Sequence, residues 1–135
     1  MWAVLGRSRR LTRKTLASIF ADPRAITEEL IDEAREGFGR PGAGRAWSAI
    51  QRSEILPGGV RTNYVDEVGE ITLPTLLVHG ANDPFVKVAI AERAHARIAH
   101  SQLAIIPRCG HWPPREKPDE FNQIVTQFLA NPQHV

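Results

Sequence analysis

Two short apolar runs, Thr75-Leu76-Leu77-Val78 and Leu103-Ala104-Ile105-Ile106, constrain this 135-residue chain more than any other feature. Neither alternates with polar residues, as expected of a strand covered on both faces. The first stops at Gly80-Ala81-Asn82-Asp83-Pro84, a dense turn cluster. The second stops at Pro107, and a Cys109-Gly110-His111-Trp112-Pro113-Pro114 loop follows. Between the runs, Val86, Ile90, Ala94 and Ile98 recur at helical spacing, predicting a helix over 86–99. After them Pro118 suits a first helical position, and Phe121, Ile124, Val125, Phe128 and Leu129 form one stripe. Strand, helix, strand, helix with buried strands is an α/β pattern. Two parallel strands do not complete such a sheet, because each needs neighbours along its edges and helices on both faces. The chain is therefore expected to be part of a larger α/β fold, or to complete its sheet with another molecule.

Residues 1–70 have a different character. Ile26, Leu30, Ala34 and Phe38 recur every four residues with acids between them, which predicts a helix from Asp22 to Phe38. Asp22-Pro23 and Thr27 are both start signals, and Gly37, Gly39, Pro41, Gly42 and Gly44 end the pattern. A second short helix is expected over Arg45 to Arg52, and Pro57-Gly58-Gly59 breaks the chain. No strand is expected before residue 70. Residues 1–20 carry Arg7, Arg9, Arg10, Arg13 and Lys14 without an acid. The run reads as a solvated helix face, with Leu11, Leu16, Ile19 and Phe20 on the other side. A transit peptide shares this composition, whereas the Trp2 to Leu5 run is too short for a secretory signal.

Composition narrows the function classes. The net charge is +2, and apolar residues make up 42%. That excludes a disordered tail and a broad basic surface for nucleic acid. No apolar run approaches the roughly 18 residues of a transmembrane helix. The single cysteine leaves no internal disulfide framework and fits a reducing, cytoplasmic setting. Gly37-Phe38-Gly39-Arg40-Pro41-Gly42 has the letters of a dinucleotide loop, but a helix rather than a strand precedes it. The histidines at 79, 95, 100, 111 and 134 show no metal-ligand spacing. No metal and no organic cofactor is expected. His79 reads as a packed, hydrogen-bonded strand-end residue and His95 as a surface one. Cys109 reads as a small packed side chain.

Asp83 and His111 each lie in the loop after an expected strand. In open α/β sheets, sites form outside the carboxyl ends of the strands. An acid and an imidazole meeting there fit two members of a nucleophile–His–acid triad. On spacing alone, a turn-capping Asp83 and a loop-packing His111 fit equally well.

The residues around them carry a resemblance. Leu76-Leu77-Val78-His79-Gly80-Ala81-Asn82-Asp83-Pro84 resembles the acid loop of α/β-hydrolases, and Ile105-Ile106-Pro107-Arg108-Cys109-Gly110-His111-Trp112-Pro113 resembles their histidine loop. Cys-Gly-His-Trp, with Glu116 and Asp119-Glu120-Phe121-Asn122 following, resembles the meta-cleavage product hydrolases, which cut C–C bonds in ring-fission products. The resemblance covers about residues 71–130. It implies the C-terminal part of an α/β-hydrolase over 71–135, its last two parallel strands with flanking helices. It implies a helical lid segment over 1–70. Asp83 would be the triad acid, His111 the general base, and Trp112 a pocket residue beside it. The reaction implied is hydrolysis of a C–C or ester bond in a small-molecule substrate. The family's nucleophile stands in G-x-S-x-G, and none of the serines at 8, 18, 48, 53 and 101 has that context. The contrasting expectation is a non-catalytic interaction module. For either, self-association or a complementary chain at the open sheet edge is expected, with neither nucleic acid nor membrane as partner.

Overall fold

A computed structural model describes residues 8–57, 59–62, 64 and 67–131. The Trp2 to Leu5 run, Arg7, and Gly58 of the expected chain break lie outside them. The chain divides into two compact units, Met1–Leu16 with Ile26–Tyr64, and Ala17–Ala25 with Val65–Val135. The sequence division at residue 70 had grouped 17–25 with the N-terminal part.

In the first unit, α1 (Arg9–Ala17) buries Thr12 and Leu16, one turn apart. Leu11 is exposed and the helix stops before Ile19 and Phe20, so the expected apolar face is corrected. Thr12 tolerates burial because its hydroxyl donates to the Ser8 carbonyl at 3.1 Å. The basic run meets the acids of the next helix: Arg9 pairs with Glu28 and Asp32, and Arg13 with Glu28. Those pairs are exposed, so each contributes little to stability.

Helix α2 (Glu28–Gly39) starts at Thr27, whose side chain accepts the Leu30 N–H at 3.1 Å. The Asp22-Pro23 signal instead opens a single 3-10 turn, Pro23–Ala25. Leu30 and Ile31 are buried, while Ala34 and Phe38 are half-buried. Helix α3 (Ala43–Glu54) is longer than expected and begins at Gly42, whose φ of +86° is left-handed. The G-x-G-x-x-G letters thus join two helices. Ile55–Leu56 (β1) and Gly59–Val60 (β2) pair antiparallel, correcting the expectation of no strand before residue 70. Strands of two residues are too short to leave an alternation in the sequence.

In the second unit, β3 (Thr75–Gly80) and β4 (Ser101–Ile106) lie parallel and in register from Thr75↔Ser101 to Gly80↔Ile106. Helix α4 (Val88–His95) connects them. It is shorter than the expected 86–99. Ile98 is nevertheless buried, held by its N–H on the Ala94 carbonyl at 3.1 Å. Leu76, Leu77 and Val78 are half-buried rather than covered on both faces. Ile106 is fully buried, and Ser101 is buried with its hydroxyl on the Ile98 carbonyl at 2.8 Å. A helical turn missed by the sequence reading, α5 (Pro113–Glu116), precedes α6 (Pro118–Ala130). Pro118 opens α6, and Phe121, Ile124, Val125 and Phe128 are half-buried along it. Leu129 is exposed, off the stripe. A cavity of about 420 Å³ is lined by Leu76 and Leu103 of the strands and by Ile124 and Phe128 of α6. No helix among the described residues is long and apolar enough to cross a membrane.

Candidate active site

Parallel, in-register strands end at one edge of the sheet, so the loops that leave β3 and β4 emerge side by side. The loops are locked together by backbone. Asn82 N–H donates to the Cys109 carbonyl and Ala81 N–H to the Ile106 carbonyl, both at 2.9 Å. Their approach is so close that a Cβ on Gly80 would stand 2.0 Å from the Gly110 carbonyl oxygen. Glycine is required there by space rather than by backbone angle. The β4 loop turns through Arg108, a non-glycine residue at φ 51°.

Asp83 is the hub of the first loop. Its Oδ1 accepts the N–H groups of Phe85 at 2.8 Å and Val86 at 3.0 Å. Its Oδ2 lies 2.7 Å from His111 Nδ1. The carboxylate accepts only, so Nδ1 carries the proton of a neutral ring and Nε2 presents the lone pair. Among the described residues no group hydrogen-bonds that Nε2. The Asp83 side chain is 4% exposed and the His111 side chain 46%. Burial raises the Asp83 carboxyl, but hydrogen bonds from Val86, His111 and Phe85 outweigh it and hold the group below its ordinary value. Phe85 meets the His111 ring edge-on, with centroids 5.2 Å apart.

His79 does what a packed histidine is expected to do. Its Nε2–H donates to the Val86 carbonyl at 2.9 Å, bracing the turn that holds Asp83. It lies 3.8 Å from Asp83 Oδ2, too far for a hydrogen bond. His79, Asp83, Val86, His111 and Pro113 line a cavity of about 250 Å³. Trp112, which the resemblance places in the pocket of the whole enzyme, is not among the residues that line this cavity. Its ring packs edge-on against Phe20 at 6.2 Å, with the Arg115 guanidinium 5.8 Å from its centroid. Residues 17–25 belong to this unit, so the indole's aromatic partner lies far away in sequence.

Cys109 is fully buried. Burial, and then the nearby Glu116 charge, push its thiol up to about 11. It stays a neutral thiol and is no nucleophile. Glu116 is the residue whose part in the site the sequence reading did not assign. It is 5% exposed, and its oxygens accept the Asp22 N–H at 2.6 Å and the Gly110 N–H at 2.7 Å. A lone acid closing one helical turn carries no periodic signal that would have marked it. Among the described residues no cluster of His, Cys, Asp and Glu is arranged to hold a metal ion.

Two loops at the carboxyl edge of a parallel pair of strands thus bring a carboxylate and an imidazole into hydrogen-bond contact on an α/β scaffold. The chain belongs to the alpha/beta hydrolase family, whose sequence profile matches residues 2–124. It is 32% identical over 126 residues, 87% of its length, to a 2-hydroxy-6-oxononadienedioate/2-hydroxy-6-oxononatrienedioate hydrolase of Pseudomonas sp, of which it covers 41%. It is 35% identical over 127 residues, again 87% of the chain, to the enzyme of that description from Klebsiella pneumoniae subsp. pneumoniae, covering 40% of it. Among solved structures, it resembles the meta-cleavage product hydrolase of Pseudomonas fluorescens IP01, with TM-score 0.75 and 26% identity. That match covers 92% of this chain and 46% of the other. The chain thus spans less than half the length of each of these relatives.

Proposed function

We propose that Asp83 and His111 are the acid and general base of a hydrolase triad. The observation that carries this reading is the 2.7 Å contact from His111 Nδ1 to Asp83 Oδ2 at the carboxyl ends of two adjacent parallel strands. The Asp83 carboxylate holds the ring in the tautomer with a free Nε2 lone pair. It also stabilises the imidazolium formed when Nε2 takes a proton. Nε2 would draw the proton from a Ser hydroxyl as it attacks a carbonyl carbon, and return it to the leaving group. An Asp nucleophile would instead need the base only to activate water in the second step. Neither metal nor organic cofactor enters this scheme.

The nucleophile in the scheme stands in a G-x-S-x-G elbow, which this sequence does not contain. The pair would act with a chain segment that supplies the elbow, seated against the sheet of β3 and β4. The half-buried strands and the open cavity under α6, where Gln102, Gln127 and Asn131 join the apolar residues, support that placement. The same surfaces support self-association when the segment is absent. The substrate class proposed is a small ring-fission product cut at a C–C bond, by analogy with the named activity of the relatives. Ester hydrolysis is the second choice. Residues 1–70 are proposed as lid, and a cytoplasmic setting is supported by the buried free thiol of Cys109.

The test is reconstitution. The chain is mixed with a complementary polypeptide carrying the elbow, and hydrolysis of a ring-fission dienedioate and of an activated ester is followed. Activity is expected in the mixture and is lost in His111→Ala. Turnover in the mixture that persists in His111→Ala would defeat the reading.

A further inference from the structure

We propose that Glu116 is a positioning residue for His111, a role that rests on the acid–base reading of the Asp83–His111 pair. Glu116 closes the α5 turn and is 5% exposed. Its carboxylate reaches in two directions, to the Gly110 N–H at 2.7 Å and to the Asp22 N–H at 2.6 Å, a residue 94 positions earlier. Gly110 precedes His111 directly. The His111 N–H in turn donates to the Ile19 carbonyl at 2.9 Å. The backbone is therefore held just before His111 by Glu116, and at His111 by the segment that Glu116 also grips.

The fit at this clamp is tight. A Cβ on Gly110 would stand 2.3 Å from the Ile19 carbonyl oxygen and 2.7 Å from Ala21 N. Loop and segment can approach so closely only because residue 110 lacks a side chain. A carboxylate is the side chain that suits the clamp, because both its oxygens accept and its charge strengthens both bonds. Glutamine would offer one acceptor and turn an NH₂ donor toward the other N–H, leaving a buried donor unmet. An apolar side chain of the same size would fill the space and hold neither amide. The consequence reaches the site through the backbone. With Gly110 released, the ring of His111 is no longer delivered to Asp83 at hydrogen-bond distance. Glu116 itself touches no reacting atom.

The experiment uses the 135-residue chain, with side-chain nitrogen NMR of His111 and exchange of backbone amides. In the wild type, His111 shows an ordered Nδ1–H signal that Asp83→Asn abolishes. In Glu116→Gln, the one of the Gly110 and Asp22 amides that now faces the NH₂ group exchanges about tenfold faster or more, the scale of one lost net hydrogen bond. The Ala81 amide, bonded to Ile106, keeps its protection. The His111 Nδ1–H signal broadens or disappears. Glu116→Asp keeps the charge but is one methylene shorter and spans only one of the two amides. There the His111 signal survives only where Gly110 stays protected, which keeps the test available if the glutamine variant unfolds. A signal lost in Asp83→Asn but unchanged in both Glu116 variants overturns the role of Glu116 alone. A wild-type chain without the signal, or one whose signal survives Asp83→Asn, overturns the acid–base pairing and this proposal together.

Discussion

Asp83→Asn separates two jobs that one carboxylate performs. Asparagine keeps a carbonyl oxygen able to accept the Phe85 and Val86 N–H groups, now at 2.8 and 3.0 Å, so the turn should hold. What changes is the atom facing His111 Nδ1, now 2.7 Å from a carboxylate oxygen. With Oδ1 kept on the turn, the amide presents an NH₂ donor there, and the ring must accept at Nδ1 and carry its proton on Nε2. The general-base lone pair is then lost. A charge-assisted bond contributes about 1.5–3 kcal/mol and a neutral one about 0.5–1.5. Replacing one by the other costs about 1 kcal/mol, toward the low end because the His111 side chain is 46% exposed. In a reconstituted enzyme, kcat should fall by about 10⁴, the loss expected of a wrong tautomer. Chemical denaturation of Asp83→Asn against the wild type reads the first number, and turnover of an activated ester in the mixture reads the second. A stability loss above about 3 kcal/mol would mean that the turn itself collapsed, and unchanged turnover would refute the tautomer argument.

Other outcomes follow from the same geometry. Because the Asp83 carboxyl is held below its ordinary value in the folded chain, its stabilisation is fully present above about pH 4, the unfolded value. It is lost as pH falls through the folded one. The stability gap between wild type and Asp83→Asn should therefore shrink in acid denaturation below about pH 4, and a gap that widens there would contradict the assignment. Gly80→Ala should cost more than about 2 kcal/mol, because its Cβ would meet only backbone, 2.0 Å from the Gly110 oxygen and 2.5 Å from the Cys109 oxygen; a thermal melt within a degree of wild type would rule this out. Cys109, buried and pushed up to about 11, should resist alkylation at neutral pH in the folded chain and react promptly in denaturant. Equal rates in both states would show that it is not sequestered.

The first unit shows what local patterning conveys and what it does not. Helix α2 was legible because amphipathic spacing and acids in the first turn are local properties of the chain. Its start was not, because Asp22-Pro23 and Thr27 are both good caps by composition. In the structure Thr27 caps the helix, while Pro23–Ala25 forms a separate turn within the second unit. The inner face of α1 was misjudged for a related reason. Hydropathy favours Leu11 over Thr12, yet Thr12 can satisfy its own hydroxyl on the preceding turn and is the one buried.

In the second unit, the sequence alone determined the order of the two strands and their two long helices, the parallel pairing, and the two loops that carry Asp83 and His111, though not the α5 turn. Uninterrupted apolar runs, a 3.6-residue period and turn clusters are all encoded over a few residues, and parallel pairing across a single helix then leaves little freedom in where the loops emerge. The contacts that make those loops a site depended on residues far apart along the chain. The Asp22 N–H on Glu116, the Ile19 carbonyl under His111 and the Phe20 ring against Trp112 all come from a stretch that precedes β3 by some fifty residues. No periodicity links them, because close packing between distant segments is set by shape and unmet backbone donors rather than by spacing. That is why the packing of Trp112 on Phe20 and the two amides held by Glu116 were not legible from spacing.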